Sequence, residues 1–129
     1  MVVDSSAVAA ILFGEEGSEA LLARLASPGR RLMSALTLLE TSIVVEARKG
    51  EVGSRSLARL IAAAEVEVVA FDSGQAAVAL DAWRRYGKGR HPAGLNLGDC
   101  ASYALATVAR EELLFKGEDF ALTDIAPAP

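Results

Sequence analysis

Met1-Val2-Val3-Asp4-Ser5-Ser6 is the stretch that decides how the chain folds, because it changes from apolar to polar residues at Asp4. Three apolar residues predict a short buried strand, and the polar residues that follow can cap a helix. Short apolar segments alternate with helical segments along the rest of the chain. This alternation predicts an α/β fold in which helices flank a central, mostly parallel β-sheet.

The other elements follow the same alternation, and glycine or proline separates several of them. Strands are expected at residues 31–34, 66–71 and 113–115, with an edge strand at residues 123–125. Helices are expected at residues 7–13, 15–26, 35–49, 54–64, 74–85 and 99–110, with a glycine-rich loop at residues 86–98. Residues 1–126 are expected to form a single domain, and residues 127–129 a loose C-terminal tail.

Composition excludes several classes of protein. The chain has 129 residues, 52% of them hydrophobic, so it is not intrinsically disordered. No run without a charged residue exceeds ten residues, whereas a membrane-spanning helix needs about 20. The first basic residue is Arg24, which argues against a signal peptide, and we expect a cytoplasmic protein without membrane contact. The apolar excess indicates an interface as well as a core, and therefore a homodimer.

The single cysteine and the single histidine limit the chemistry further. One cysteine forms no intrachain disulfide, and Cys100 with His91 is too small a set for a structural zinc site. Cys100 is expected to be inert in the core, and Trp83 and Tyr103 are expected to be packing residues. A net charge of −4 also means that any contact with nucleic acid has to be local.

Four acidic residues occupy positions that the fold class brings together. Asp4 and Asp119 follow predicted strands, and Asp99 begins an almost entirely apolar helix. Glu40 lies within an apolar helical stripe that we expect to face the core: Leu36, Leu39, Ile43, Val44 and Ala47. Sites in parallel sheets lie beyond the carboxyl ends of the strands.

Each acid also has an ordinary structural role open to it. Asp4 can cap the first helix, and Asp99 can complete a capping box with Asn96. Glu40 can pair with an arginine, and Asp119 can be a solvated loop residue whose role Glu118 takes. Taken together, however, four converging carboxylates repel strongly, by ~4 kcal/mol for a pair 4 Å apart near a protein surface. A hard divalent cation such as Mg²⁺ or Mn²⁺ relieves that repulsion and can activate water for attack on a phosphodiester.

A basic segment spans the end of the helix at residues 74–85 and the loop that follows it. It contains Arg84, Arg85, Lys88, Arg90 and His91, and no acid occurs between Ala82 and Gly98. Such a local patch is suited to a phosphate backbone, and Tyr86 can stack on a base. The alternative is a solvated helix end at which the arginines complement the helix dipole.

Four segments resemble those of the PIN-domain ribonucleases, and in particular the VapC toxins of bacterial toxin–antitoxin pairs. They are Met1-Val2-Val3-Asp4-Ser5-Ser6-Ala7, Leu39-Glu40-Thr41, Leu97-Gly98-Asp99-Cys100 and Phe115-Lys116-Gly117-Glu118-Asp119-Phe120. The stretch from Tyr86 to Cys100 is similar to one actinobacterial-type subgroup of these toxins. The resemblance covers essentially the whole chain. Each motif is weak alone, but the four occur in the order and at the spacing of the family.

The resemblance implies a PIN fold and an endoribonuclease that depends on Mg²⁺ or Mn²⁺ and cleaves single-stranded or structured RNA, often tRNA. It implies Asp4, Glu40, Asp99 and Asp119 as the catalytic acids, with Asp4 and Asp99 as direct metal ligands. Ser6 matches the hydroxyl residue that supports the first acid. It also implies a homodimer that a VapB antitoxin inhibits. On this hypothesis Arg84, Lys88, Arg90 and Lys116 position the RNA.

Two other function classes remain open from the sequence. A phosphoryl-transfer domain that resembles a response-regulator receiver would use Asp72 as its phosphate acceptor and Lys116 as the basic partner, but Asp4 has no second acid beside it. A haloacid-dehalogenase-like site would need an acid where Ser6 stands. A non-catalytic interaction module would bind a peptide in an acidic groove, and the complete set of four acids argues against it.

Overall fold

Four short parallel strands form the centre of the molecule in the computed structural model, which describes residues 1–129. They are β1 (Val2–Val3), β2 (Leu32–Ser34), β3 (Glu67–Val69) and β4 (Leu113–Leu114), in the spatial order β3-β2-β1-β4. Helices connect them, because consecutive parallel strands need a crossover. The predicted α/β class with a central parallel sheet is confirmed.

Five helices surround this sheet, close to where the sequence predicts them. They are α1 (Ser5–Phe13), α2 (Ser18–Leu25), α3 (Ala35–Ala63), α4 (Ser73–Tyr86) and α5 (Leu97–Ala109). Helices α1 and α5 begin two residues earlier than expected, since the side chains of Asp4 and Asn96 cap them. None of the five has the length and apolar character needed to cross a bilayer.

Gly50 separates two straight parts of α3. The sequence predicts two helices that are separated by residues 50–53, and the chain does bend at Gly50, where φ is 62° and ψ is −153°. The helix resumes directly after that residue, so the expected linker is a kink. Glycine is required there because other residues almost never adopt this backbone conformation.

The sheet is buried on both faces, and neighbouring residues of each strand serve different cores. Val2, Leu32 and Leu113 belong to the core beside α4 and α5. Their successors Val3, Met33 and Leu114 belong to the core beside α1 and α3. Successive side chains of a strand point to opposite faces, which explains the division.

The prediction of an edge strand at residues 123–125 is wrong, because these residues form no strand. A short 3₁₀ helix (Phe120–Leu122) comes first, and the Thr123 hydroxyl then bonds the backbone at Phe120 and Ile125 in place of a ladder. The tail that we expected to be loose lies along β4 instead. Leu113 N donates to Ala126 O at 2.9 Å, and Ala128 N donates to Leu113 O at 2.8 Å.

The apolar stripe of α3 does not face the core, contrary to expectation. Leu39, Ile43 and Val44 are exposed, Ile43 by 61%. The buried face holds the following residues instead: Thr37, Thr41 and Val45. Burial of threonine is tolerated here because the Thr41 hydroxyl donates to Thr37 O within the helix, and because the Thr37 hydroxyl bonds Ser102.

Replacing Gly50 with alanine is expected to destabilise the fold by about 1–3 kcal/mol, the cost of placing a side-chain-bearing residue in this backbone region. No atom would obstruct the added methyl group, so the loss is one of backbone strain alone. Urea denaturation followed by circular dichroism measures it. Gly74→Ala is the matched control, since Gly74 has an ordinary φ and its substitution is expected to change stability little. Equal stability of the two variants would contradict this account of the kink.

Candidate active site

Asp4 lies at the carboxyl end of β1 and is fully buried. Its Oδ2 accepts hydrogen bonds from Ser6 N at 2.9 Å and from Ser6 Oγ at 2.7 Å. Its Oδ1 accepts a hydrogen bond from Ser102 Oγ at 2.6 Å. Ser6 Oγ in turn accepts one from Lys116 N at 3.0 Å, which links this site to the segment after β4. Ser6 therefore contacts Asp4 directly, as the resemblance implies.

Ser102 and Thr37 are site residues that the sequence analysis missed. Both are fully buried, and their hydroxyl oxygens lie 3.1 Å apart. Because Ser102 gives its one proton to Asp4, Thr37 must be the donor between them. A signal for both exists in the sequence, since each lies three residues from a predicted acid on the same helix, Ser102 from Asp99 and Thr37 from Glu40.

Asp99 is both a helix cap and a member of the acidic cluster. Asp99 N donates to Asn96 Oδ1 at 2.9 Å, and Asn96 N donates to Asp99 Oδ2 at 3.0 Å, which confirms the expected capping box. Burial raises the pKa of Asp99 above its ordinary value, and the negative charges of Asp4, Glu40 and Asp119 raise it further. The resulting pKa is about 7. Asp4, Glu40 and Asp119 are therefore each close enough to Asp99 for their charge to affect it.

Glu40 reaches this cluster across the first turn of α5. Its carboxylate packs so closely on Gly98 that a Cβ at Gly98 would collide with it. Glycine at this position therefore allows the acid of α3 to approach α5. In the sequence Gly98 is visible only as part of the motif Leu97-Gly98-Asp99-Cys100, because its role depends on a contact between two helices that are distant in sequence.

Asp119 and Glu118 are both exposed, on the segment that follows β4. Hydrogen bonds to Asp124, which follows the 3₁₀ helix in the chain, anchor that segment. Tyr103 OH donates to Asp124 Oδ1 at 2.6 Å, and Arg85 donates to Asp124 Oδ2 at 2.8 Å. These two bonds, that of Tyr103 first, lower the pKa of Asp124. Arg85 is consequently occupied and is not free to bind a substrate.

The donor set suits a hard divalent cation. None of the four acids forms an ion pair with a basic group of the chain. No three His, Cys, Asp or Glu side chains are arranged to hold one ion between them. Mg²⁺, however, is usually held by only one or two carboxylates and completes its shell with water. A buried aspartate without a counter-charge, next to a second aspartate, fits that pattern.

The basic residues predicted to bind RNA divide into two groups. Arg84, Lys88 and Arg90 are exposed and form no ion pair, and Lys88 lies beside Asn96 along one cavity. Lys116 is committed elsewhere, because its Nζ contacts Glu15 Oε2 at 2.9 Å. The phosphate acceptor of the alternative reading, Asp72, caps α4 through Gln75 N at 2.8 Å. Nothing therefore pairs Asp72 with Lys116.

Three further predictions concern single residues. Tyr103 is buried as expected, and burial raises its pKa to about 12. Cys100 is buried as expected, and burial raises its pKa to about 11, so the thiol stays protonated and unreactive. Trp83 is not a core residue, because 41% of it is exposed on the cavity beside Asn96.

Comparisons with known proteins all indicate the same family. A family model described as PIN domain matches residues 1–126. Ribonuclease VapC of Mycolicibacterium smegmatis is 54% identical over 126 residues, which are 98% of either chain. Ribonuclease VapC30 of Mycobacterium tuberculosis is 51% identical over 126 residues, 98% of this chain and 96% of that protein.

Two solved structures share the fold. Mycobacterium tuberculosis VapC20, described as a toxin that cleaves the sarcin-ricin loop, superposes with a TM-score of 0.77 at 19% identity and covers 97% of this chain and 95% of its own. A chain of a toxin–antitoxin complex from Klebsiella pneumoniae superposes with a TM-score of 0.67 at 20% identity, covering 93% of this chain and 89% of its own.

The metal-free protein is expected to lose stability as the pH rises from about 4 to about 7. The folded pKa of Asp99, about 7, lies above the value near 3.9 of an unfolded chain, so folding favours the protonated acid and that contribution disappears as Asp99 ionises. Thermal melts in EDTA at pH 5 and pH 8 measure the difference. Asp99→Asn should reduce it, whereas Glu16→Gln, at an exposed acid, should not. The same pH dependence in all three proteins would contradict the assignment.

Proposed function

Because this chain belongs to the PIN-domain family and to its VapC ribonucleases, we propose that it hydrolyses RNA at the cluster of Asp4, Glu40, Asp99 and Asp119. The family match covers nearly the whole chain, and the curated relatives are named ribonucleases. The chain is accordingly a toxin endoribonuclease by family. Members of this family generally depend on a divalent metal ion.

The observation that carries the choice of site is the fully buried Asp4 carboxylate, which has hydrogen bonds but no counter-charge. We infer that Asp4 and Asp99 hold Mg²⁺ or Mn²⁺ directly, while Glu40 and Asp119 complete the site through water. The chemistry that such an ion supplies is activation of water and stabilisation of charge at the phosphate.

The chain's own side chains prepare this site. Ser6 and Ser102 fix both oxygens of Asp4, and Thr37 fixes Ser102 by donating to it. Outer partners of this kind typically change metal affinity or activity 10–100-fold when they are removed. The capping box holds Asp99 Oδ2, which leaves Oδ1 free to face an ion.

RNA contacts are proposed for four basic side chains. Arg84, Lys88 and Arg90 have no acidic partner and are suited to phosphate oxygens. Lys116 contributes only if phosphate displaces Glu15 from its Nζ. Single-stranded or structured RNA, tRNA included, remains the proposed substrate class.

Asp99→Asn is expected to lower the rate of RNA cleavage by roughly 100-fold or more, because it removes a charged ligand from the metal. Electrophoresis of a fluorescently labelled RNA with Mg²⁺ or Mn²⁺ measures the rate. Asp119→Asn should also slow cleavage, and Glu118→Gln is its matched control because it is the adjacent exposed acid. Undiminished cleavage by Asp99→Asn, or by the unaltered protein in excess EDTA, would defeat the proposal.

A VapB-type antitoxin is the proposed protein partner, and the cytoplasm, where such an antitoxin and RNA meet, the proposed location. VapC toxins pair with VapB antitoxins, and one structural neighbour belongs to a toxin–antitoxin complex. The proposed consequence for this chain is inhibition until the antitoxin is removed.

A homodimer is proposed from the exposed apolar stripe of α3. Leu39, Ile43 and Val44 line a shallow groove with Leu97, which is 73% exposed. Contiguous exposed apolar surface of this kind marks an interaction site, and the groove borders Glu40 of the acidic cluster. A second copy seated there would cover a surface that is otherwise costly to expose.

Ile43→Asp is expected to convert the dimer into a monomer, because a carboxylate would be buried without a partner in the interface. Light scattering on a size-exclusion column measures the mass. Val52→Asp is the matched control, since Val52 is exposed on the same helix outside the groove. A monomeric unaltered protein, or a dimer that persists in Ile43→Asp, would contradict this interface.

A further inference from the structure

A cavity of about 450 Å³ opens between α4 and the start of α5. Its size lies within the range of about 300–1,000 Å³ that is typical of small-molecule sites. The wall is mainly apolar and includes Phe71, Leu80, Trp83 and Leu97. Lys88 and Asn96 are its polar side chains. The cavity therefore suits a flat, largely apolar group with a few polar atoms on its edge.

Trp83 gives this cavity an aromatic surface. The Arg90 guanidinium lies 4.7 Å from the centre of its ring, and Gly87 lets the indole pack closely, since a Cβ there would collide with it. An exposed aromatic ring that is supported by an arginine is a stacking surface for a nucleobase.

Charge around the cavity favours RNA over an apolar protein surface. Arg84, Lys88 and Arg90 carry no ion pair, and the sequence holds no acid between Ala82 and Gly98. The chain as a whole has a net charge of −4, so these cations form a local exception. An aromatic pocket bordered by unpaired cations is complementary to a base together with its phosphates.

Asn96 connects the cavity to the acidic cluster. Its backbone N–H donates to Asp99 Oδ2 at 3.0 Å, while its side chain lines the cavity. The side-chain oxygen accepts a hydrogen bond from Asp99 N, and the amide nitrogen Nδ2 is available to a ligand. Both polar side chains of the cavity, Asn96 and Lys88, therefore offer N–H donors to a bound base.

We propose that this cavity holds an unpaired RNA base next to the bond that is cut, and that Asn96 and Lys88 recognise acceptor atoms on the edge of that base. Stacking on Trp83 holds the ring, and each base carries its own arrangement of acceptors, so one base should fit these donors best. The inference rests on the proposed ribonuclease function and adds to it the position at which sequence is recognised.

The only tryptophan of the chain is Trp83, so its fluorescence reports directly on this cavity. Decamers of uridylate, adenylate and cytidylate are titrated into the protein in EDTA, which prevents cleavage. Saturable quenching by at least one of these decamers is expected because a stacked base covers the indole, and an absence of quenching by all three would overturn the proposal.

Variants separate stacking from general attraction. Anisotropy of fluorescein-labelled oligouridylate should show about 10–100-fold weaker binding by Trp83→Ala and nearly full binding by Trp83→Phe, which keeps an aromatic ring. Val108→Ala, at an exposed apolar residue of α5 outside the cavity, is the matched control and should bind normally. Circular dichroism verifies that each variant is folded. Equal binding by Trp83→Ala and Val108→Ala would overturn the proposal.

Sequencing of RNA ends after cleavage tests the base preference. One base should be enriched at one position beside the cut. In Asn96→Ser, which keeps a capping oxygen but lacks the amide donor, that enrichment should fall toward the frequency in random sequence.

The outcomes distinguish this inference from the function on which it rests. Cleavage by the unaltered protein without any base preference overturns the inference and leaves the ribonuclease function intact. Trp83→Ala could instead become monomeric and still bind oligouridylate normally. That result would show that a second copy of the chain covers the cavity, and it would also overturn the inference. Failure of the unaltered protein to cleave any RNA with Mg²⁺ or Mn²⁺ overturns the proposed function itself, whatever the fluorescence shows.

Discussion

The buried carboxylate of Asp4 is the constraint on which the arrangement of the site depends. A buried charge without compensation costs several kcal/mol, and here two serines supply three hydrogen bonds in compensation. Ser6 comes from the first turn of α1 and Ser102 from α5. Both helices must therefore begin at fixed positions relative to β1, and the other acids are positioned as a result.

Small residues in α5 make that arrangement sterically feasible. The helix is buried from Cys100 to Ala106, and alanine, serine and glycine occupy much of its surface. Gly98 allows Glu40 to approach from α3, and Ser102 brings a hydroxyl to Asp4 in the space of a small side chain. The concentration of carboxylates thus depends on close helix packing, a property of the interior as much as of the acids themselves.

Much of the fold followed from local patterns. Asp4 and Asp99 were identifiable because each stands where a strand ends or a helix begins, and Gly50 because glycine interrupts an otherwise regular helix. The outward orientation of Leu39 and Ile43 was not predictable in this way. An apolar stripe shows that one face of a helix avoids water, but it does not distinguish the chain's own core from a surface that meets another molecule.

Contacts between distant segments account for the other differences. Ser102 acts on Asp4 across 98 positions of sequence, and Trp83 is exposed because α4 and α5 leave a cavity between them. The tail pairs with β4 although its prolines predict a loose end. Each of these outcomes is decided by tertiary geometry, which hydrophobic periodicity alone does not encode.

Strand β1 consists of just two residues, Val2 and Val3, and each fills a different core. Removing or adding a single residue between Val2 and Asp4 would move the strand side chains to the other faces of the sheet or turn the carboxylate away from Ser102. This stretch of the protein should accordingly accept changes of side chain much more readily than changes of length. Insertions and deletions here would disrupt the core and the acidic cluster in one step.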